Sequence, residues 1–436
     1  MASDLLHDAL AIIQFPRLGA IGSDDTVLVM RHLQRWAAHL LQNPFVVCDV
    51  EMTEKLVRLC GVLIAYIEDY VDKATSPFPP RVYHDLPDVG SQFSDRRVKF
   101  ENLRPSERHG FMRAFLDYEL LCKIHHPRPN GDYDQTDSST SQWRISWDWK
   151  TLYHYRKQKQ EPWMLETLRC VHGYVCSLYG GMFARCADAW VPEHHTDLVF
   201  PDSMLFCHEA YANDLDIIYR AHQSLAPTLA IFGVDLTTSL VATGFERGTG
   251  LERRARWFRE LARMIEIHAR WYPDVSIDNV REPKWDCGPQ LFRMLRWRVF
   301  ELTVSGMGYR ALRMLQISIY RQRAWVFFDN AELYPHNRDS TEQTPLSHFP
   351  SIHEIRDLQE QTLNRCLSVS AERTQRRSRV WQETRLPLHL LRNASSDDEP
   401  GVEIKLPEEH CLRHFYYVLK ALAVSFWEPG SERRKK

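Results

Sequence analysis

The side chains with the strongest claim on chemistry in this chain are arginines. Between Leu251 and Trp271, Arg253, Arg256, Arg259, Arg263 and Arg270 gather on one face of a helix-period segment. Phe258, Leu261, Ala262, Ile265 and Tyr272 fall on the other face. Glu252, Glu260 and Glu266 share the basic face, and Glu252–Arg256 and Glu266–Arg270 have the i, i+4 spacing of helix-surface ion pairs. The face therefore reads first as a solvated, salt-bridged surface and second as an anion site. A further series follows, in which Arg293, Arg296, Arg298, Arg310, Arg313, Arg321 and Arg323 alternate with Trp297, Tyr320 and Trp325. Guanidinium groups beside aromatic rings can track a phosphate backbone and stack on bases. They can also tie helices together by carboxylate forks and cation–π contacts, which is the use expected here. Arg253, Arg256, Arg259, Arg263, Arg310 and Arg313 are the candidate residues for binding an anion or a partner.

Other constellations carry less. His172 and Cys176 are four residues apart, so a helix would put them on one face as zinc ligands require. The stripe around them, Val171, Val175 and Tyr179, is a core pattern, and no second ligand pair at structural-zinc spacing follows. Core packing is the expectation, and His125–His126 and His194–His195 read as surface histidines. Ala212 to Asp216 partly echoes the acidic motifs by which some helical enzymes hold magnesium on a diphosphate. Ile217 and Ala221 stand where a hydroxyl and a distal carboxylate would be needed, so that chemistry is not expected. There is no Gly-x-Ser-x-Gly elbow and no P-loop. Gly244, Gly248 and Gly250 are spaced as in a flexible loop. No metal and no cofactor is implied.

These residues must be positioned by helices. From Pro162 to Trp190, Leu165, Leu168, Val171, Val175, Leu178, Met182, Phe183 and Cys186 recur at three and four, one stripe of a 3.6-residue helix. Pro162 suits a first helical turn, where its missing N–H costs nothing. The same period predicts helices over 26–43, 52–73, 105–124, 207–222, 225–242, 251–271, 289–304, 308–329, 352–383 and 408–427. No sustained alternation signals a strand. Proline and turn formers mark 76–102 as a loop, and the polar run 127–142 cannot repay its ordering by burial. No fixed repeat appears. The expected fold is all-α, a large irregular multi-helix assembly. Its expected parts are an N-terminal helical segment over 1–75, a main helical domain over 103–392 and a C-terminal helix over 405–428 that packs back on it.

Bulk properties narrow the function classes. A formal net charge of −2 over 436 residues gives no global attraction to nucleic acid or anionic membranes. The ten cysteines are scattered and mostly lie in apolar helical patterns, as buried thiols in a reducing compartment do. Cys170, Cys176, Cys186 and Cys411 are expected to be buried and unpaired. No apolar run approaches the roughly 18 residues that span a bilayer.

Over 103–190 the wording LRPSERHGFMRAFLDYELLCKI, followed by CVHGYVCSLYGGMFARCADAW, resembles a loose group of uncharacterised filamentous-fungal proteins. Some of that group begin with an F-box-like segment, whereas no Leu-Pro opening precedes Leu5–Ala11 here. The resemblance implies no established activity and no catalytic residue. The expected function is that of a protein-interaction or scaffold protein of the cytoplasm or nucleus, with a protein partner and no membrane. The alternatives are an enzyme with its pocket among the helices of 207–329, or a nucleic-acid-binding protein using the same arginines, which is not favoured.

Overall fold

The computed structural model describes residues 3–16, 24–76, 82–83, 85–87, 97–124, 152, 155, 162–185, 225–242, 292–293, 295, 307–329, 333–334 and 348–363. Of these, 79% are helical and none is in a strand, so the fold is all-α. The segments predicted as helices at 207–222, 251–271 and 408–427 lie outside the described residues, as does the polar run 127–142.

The chain opens with a helix that the periodicity reading passed over, α1 (Ser3–Ile13). Leu5, Ala9 and Ile12 form its buried stripe. α2 (Asp24–Ala37) buries Val29, Leu33 and Trp36, again one face of a helix. The two are fastened by polar contacts: Trp36 Nε1 donates to Asp8 Oδ1 at 3.1 Å, and the His32 ring lies 2.8 Å from the Ala11 carbonyl. α2 stops short of the expected residue 43, and His39 takes a left-handed φ of 55° beyond its end. A short helix, α3 (Pro44–Val47), follows. The Asn43 side chain caps it at the Phe45 N–H, and Cys48 closes it at a left-handed φ of 56°. Asp49 then accepts from the Met52 N–H at 2.9 Å and starts α4 (Val50–Ala74). The chain therefore turns a corner between α2 and α4 that is marked by left-handed His39 and Cys48 and by the Asn43 and Asp49 caps.

α4 changes character along its length. Its first half exposes Val50 and Val57, and its second half buries Leu63, Tyr66, Ile67, Tyr70, Val71 and Ala74. It runs into the centre of the molecule, where α5 (Pro105–Ile124) and α6 (Pro162–Arg185) lie. Pro105 opens α5, and Glu107 reaches back to the Arg104 N–H at 3.0 Å, as a glutamate at the third helical position does. α5 is buried almost all round, with Phe111, Phe115, Tyr118 and Leu121 among its inward residues. α6 buries the predicted stripe from Leu165 to Met182, together with Cys170, Tyr174, Cys176 and Tyr179 on its flanks. A helix covered on several sides is a central helix, and α5 and α6 pack on each other and on α1 and α7 (Leu225–Ala230) respectively.

The segment expected as one helix over 225–242 is two, α7 and α8 (Gly233–Ala242). Gly233 between them has φ 78°, and a Cβ there would meet Glu119 Oε2 at 2.5 Å. Only glycine admits both the backbone and the close approach. α9 (Met307–Gln322) packs on α6 and on α10 (Ile352–Leu363), and α10 begins with a reciprocal Ser351–Glu354 capping box. α9 ends seven residues before the predicted 329. Ala324 adopts φ 52°, and Trp325 to Phe328 fold back as a buried hook. Buried residues from Leu5 to Ile355 form one contiguous core, so the described helices of 1–75 share it with those of 103–392.

Candidate functional site

The ionisable groups of the core come together where the C-terminal ends of α4 and α9 meet. A helix end leaves carbonyls without helical partners. At α9 the Tyr70, Tyr83 and Tyr334 hydroxyls donate to the successive carbonyls of Arg321, Gln322 and Arg323. At α4 the guanidinium of Arg323 donates to the carbonyls of Ala74, at 3.1 Å, and Ser76. A cation at a helix C-terminus also complements the helix dipole. Burial pushes all three tyrosine hydroxyls far above their ordinary range, which keeps them protonated and donating.

Beside these helix ends, half-buried Arg321 forks onto Glu166 of α6, with Nε 2.8 Å from Oε1 and Nη2 3.1 Å from Oε2. Arg169 and the Trp325 indole N–H approach the same carboxylate at 3.4 Å. Beside this fork, Lys73 and Tyr174 both reach Asp69 Oδ2 at 2.7 Å, and the Lys73 ammonium lies 5.7 Å from the centres of the Tyr83 and Tyr174 rings. The carboxylates, cations and hydroxyls of this layer thus engage one another and helix ends, and Arg323 Nε is buried with no hydrogen-bond partner among the described residues. Arg321 and Arg323 bear out the expectation of internal ties. The partners Asp69, Tyr70, Tyr83, Glu166, Tyr174 and Tyr334 were missed from sequence, and a lone Glu166 within the apolar stretch of α6 was the available signal.

His172 and Cys176 do share a face, with Sγ 3.8 Å from Nδ1, and both are buried. Among the described residues no group of three or more histidine, cysteine or carboxylate side chains is placed to hold a metal ion. Cys122 and Cys170 are buried free thiols pushed well above their ordinary range by burial. Cys186 and Cys411 lie outside the described residues. So do Arg253, Arg256, Arg259 and Arg263. Arg310 and Arg313 are on α9, where Arg313 is half-buried.

A second cluster, built around buried Glu119, has a consequence in solution. Glu119 of α5 accepts from the Val234 N–H at 2.7 Å and so caps the first turn of α8. Lys123 lies 3.3 Å from it and 2.6 Å from Asp235. Burial, then the neighbouring Asp235, push the Glu119 carboxyl up to about 7, against the pull of Lys123 and the Val234 N–H. A carboxyl raised on folding stabilises the fold fully below its unfolded value near 4.5 and loses that contribution as pH rises through 7. Wild-type protein should therefore lose about 2–3 kcal/mol relative to Glu119→Gln between pH 4.5 and 7. Denaturant unfolding of both proteins across that range checks this, and a difference that stays flat with pH contradicts it.

The described surface has one feature of the opposite kind. At the corner between α2 and α4, Leu40, Phe45, Val46, Val47, Val50 and Val57 are all exposed, Val46 by 77% and Val50 by 70%. Apolar side chains scattered singly on a surface are ordinary, whereas six within residues 40–57 are a local concentration of exposed apolar surface. The backbone beneath is fixed by the Asn43 and Asp49 caps. Residues 44–51 fall between the helices expected over 26–43 and 52–73, and the local signal is an unbroken apolar tetrapeptide following Asn43, too short for a core helix. Among the described residues no helix is long and apolar enough to cross a membrane. Comparison of the chain with protein-family models, with curated proteins and with solved structures gave no match.

Proposed function

We propose that this chain is a protein-interaction or scaffold protein that docks other polypeptide at the α3 corner. The observation that carries the reading is the exposed run Phe45, Val46, Val47 and Val50 on a capped, locally determined turn. Burying apolar side chains is the main source of association energy, and rigid presentation lowers the entropy lost on binding. The buried carboxylates, guanidinium groups and hydroxyls, by contrast, serve the interior. Buried thiols at Cys122, Cys170 and Cys176, none in a disulfide, fit the reducing environment of the cytoplasm or nucleus.

A photo-crosslinking side chain at Val46, compared with one at exposed Glu101, tests the reading in cells of the native host. Polypeptide should be captured from position 46 and not from 101, and Val50→Asp should abolish the capture while leaving the fold within about 0.5 kcal/mol of wild type. Equal capture from both positions, or none from 46, overturns it.

A further inference from the structure

The exposed face of α4 is complementary to itself. Val50, Glu54, Val57, Arg58 and Gly61 fall within one helical face, and all five are exposed. Glu51 and Lys55 on its edge pair with each other at 2.5 Å and are both exposed. Glu54 and Arg58, also four apart, have no ion-pair partner among the described residues. The acidic positions, Glu51 and Glu54, thus lie about one turn before the basic ones, Lys55 and Arg58. If a second helix of the same sequence lies antiparallel on this face, acid meets base at both ends by symmetry.

We propose that the occupant of this corner is a second copy of the chain, seated on α4 about a two-fold axis level with residue 56. This rests on the reading of the corner as an interaction surface. In that register Glu54 of each copy faces Arg58 of the other, and Glu51 faces the turn at Gly61. Val50 and α3 of one copy then approach Gly61 and Val62 of the other. Gly61 suits the close end of such a crossing, because a Cβ built there has no atom within 4 Å in its own chain and the face above it is open. A two-fold contact needs one patch that complements itself, and this face supplies both signs of charge and an apolar centre. The exposed apolar residues of the corner amount to roughly 500 Å² per copy, at the upper end of what a monomer leaves bare. With the flanking charged stems, two copies reach the roughly 1,000–1,200 Å² that a specific reversible contact requires.

The test is the mass of the full-length protein by sedimentation equilibrium up to about 100 µM, with circular dichroism to show that each variant is folded. Wild type should dimerise reversibly, with an affinity that weakens as salt is raised. Glu54→Arg and Arg58→Glu should each weaken self-association at least tenfold by placing like charges across the axis. Val57→Asp should do the same from the apolar centre. Mixing the Glu54→Arg and Arg58→Glu proteins should restore a one-to-one dimer, since each position 54 then faces an opposite charge at position 58. A wild-type monomer at the highest concentration, a dimer indifferent to these changes, or a mixture that stays monomeric overturns the proposal. A monomer whose position 46 still captures a different protein leaves the interaction reading standing, whereas a monomer that captures nothing overturns both.

Discussion

Replacing Glu166 by Gln should destabilise the protein by about 3–5 kcal/mol, the range for breaking a buried ion pair and leaving a charge behind. Glu166 is buried and serves Arg321 by a two-pronged fork, Arg169 from its own helix and the Trp325 indole. The amide is nearly the same shape but carries no charge and has only one acceptor oxygen. Two guanidinium groups, each with little access to water, would then face a neutral group. Arg321→Met should cost less, because Glu166 keeps Arg169. Denaturant unfolding of the three proteins gives the order wild type, Arg321→Met, Glu166→Gln from most to least stable. Equal stability of wild type and Glu166→Gln would show that the fork is not a structural tie.

Phe111→Ala should cost a similar amount, about 3–5 kcal/mol, through a different cause. Phe111 is fully buried at the centre of α5. Its ring stacks on Phe327 at 4.0 Å between centroids and meets Tyr70 and Phe328 edge-on at 6.1 and 5.7 Å. Removing it empties the space on which the hook after α9 closes, and leaves Phe327 without its stacked partner. The loss should appear as a lower unfolding midpoint. Phe111→Leu, which keeps much of the volume, should recover over half of it. An alanine variant within about 1 kcal/mol of wild type would mean that the hook packs elsewhere.

The two predictions separate what is written locally from what is not. The bounds of α5 were legible because Pro105 can only open a helix and Phe111, Phe115 and Tyr118 recur at helical spacing. The stripe of α6 was legible for the same reason of period. Arginine beside aromatic residues near 321–325 gave the type of interaction, a tie within the molecule, since the chain as a whole is not basic. It could not give the partners. Glu166 lies 155 residues from Arg321, and only the crossing of α6 with α9 brings them together.

Where helices end was also a tertiary decision. Ala324 is the best helix former in the sequence alphabet, so nothing local stops a helix at 322. The chain leaves the helix because Tyr70, Tyr83 and Tyr334 take up its last carbonyls and the hook gains a buried site for Trp325 and Phe327. The helix expected over 225–242 breaks because Gly233 turns at φ 78°, outside the right-handed helical region, and Glu119 of α5 caps the new first turn at the Val234 N–H. The exposed corner escaped the sequence reading for a related reason. Val50 precedes the helix expected over 52–73, and Val57 within it differs from Leu63 and Val71 only in what the rest of the chain covers. The sequence by itself determined the all-α class, the central helices and the inward use of Arg321 and Arg323, because period and residue chemistry act over a turn or two. The partners of the buried charges, the breaks at Gly233 and Ala324, and the face of α4 left bare were decided by tertiary structure, because each depends on groups far away in sequence.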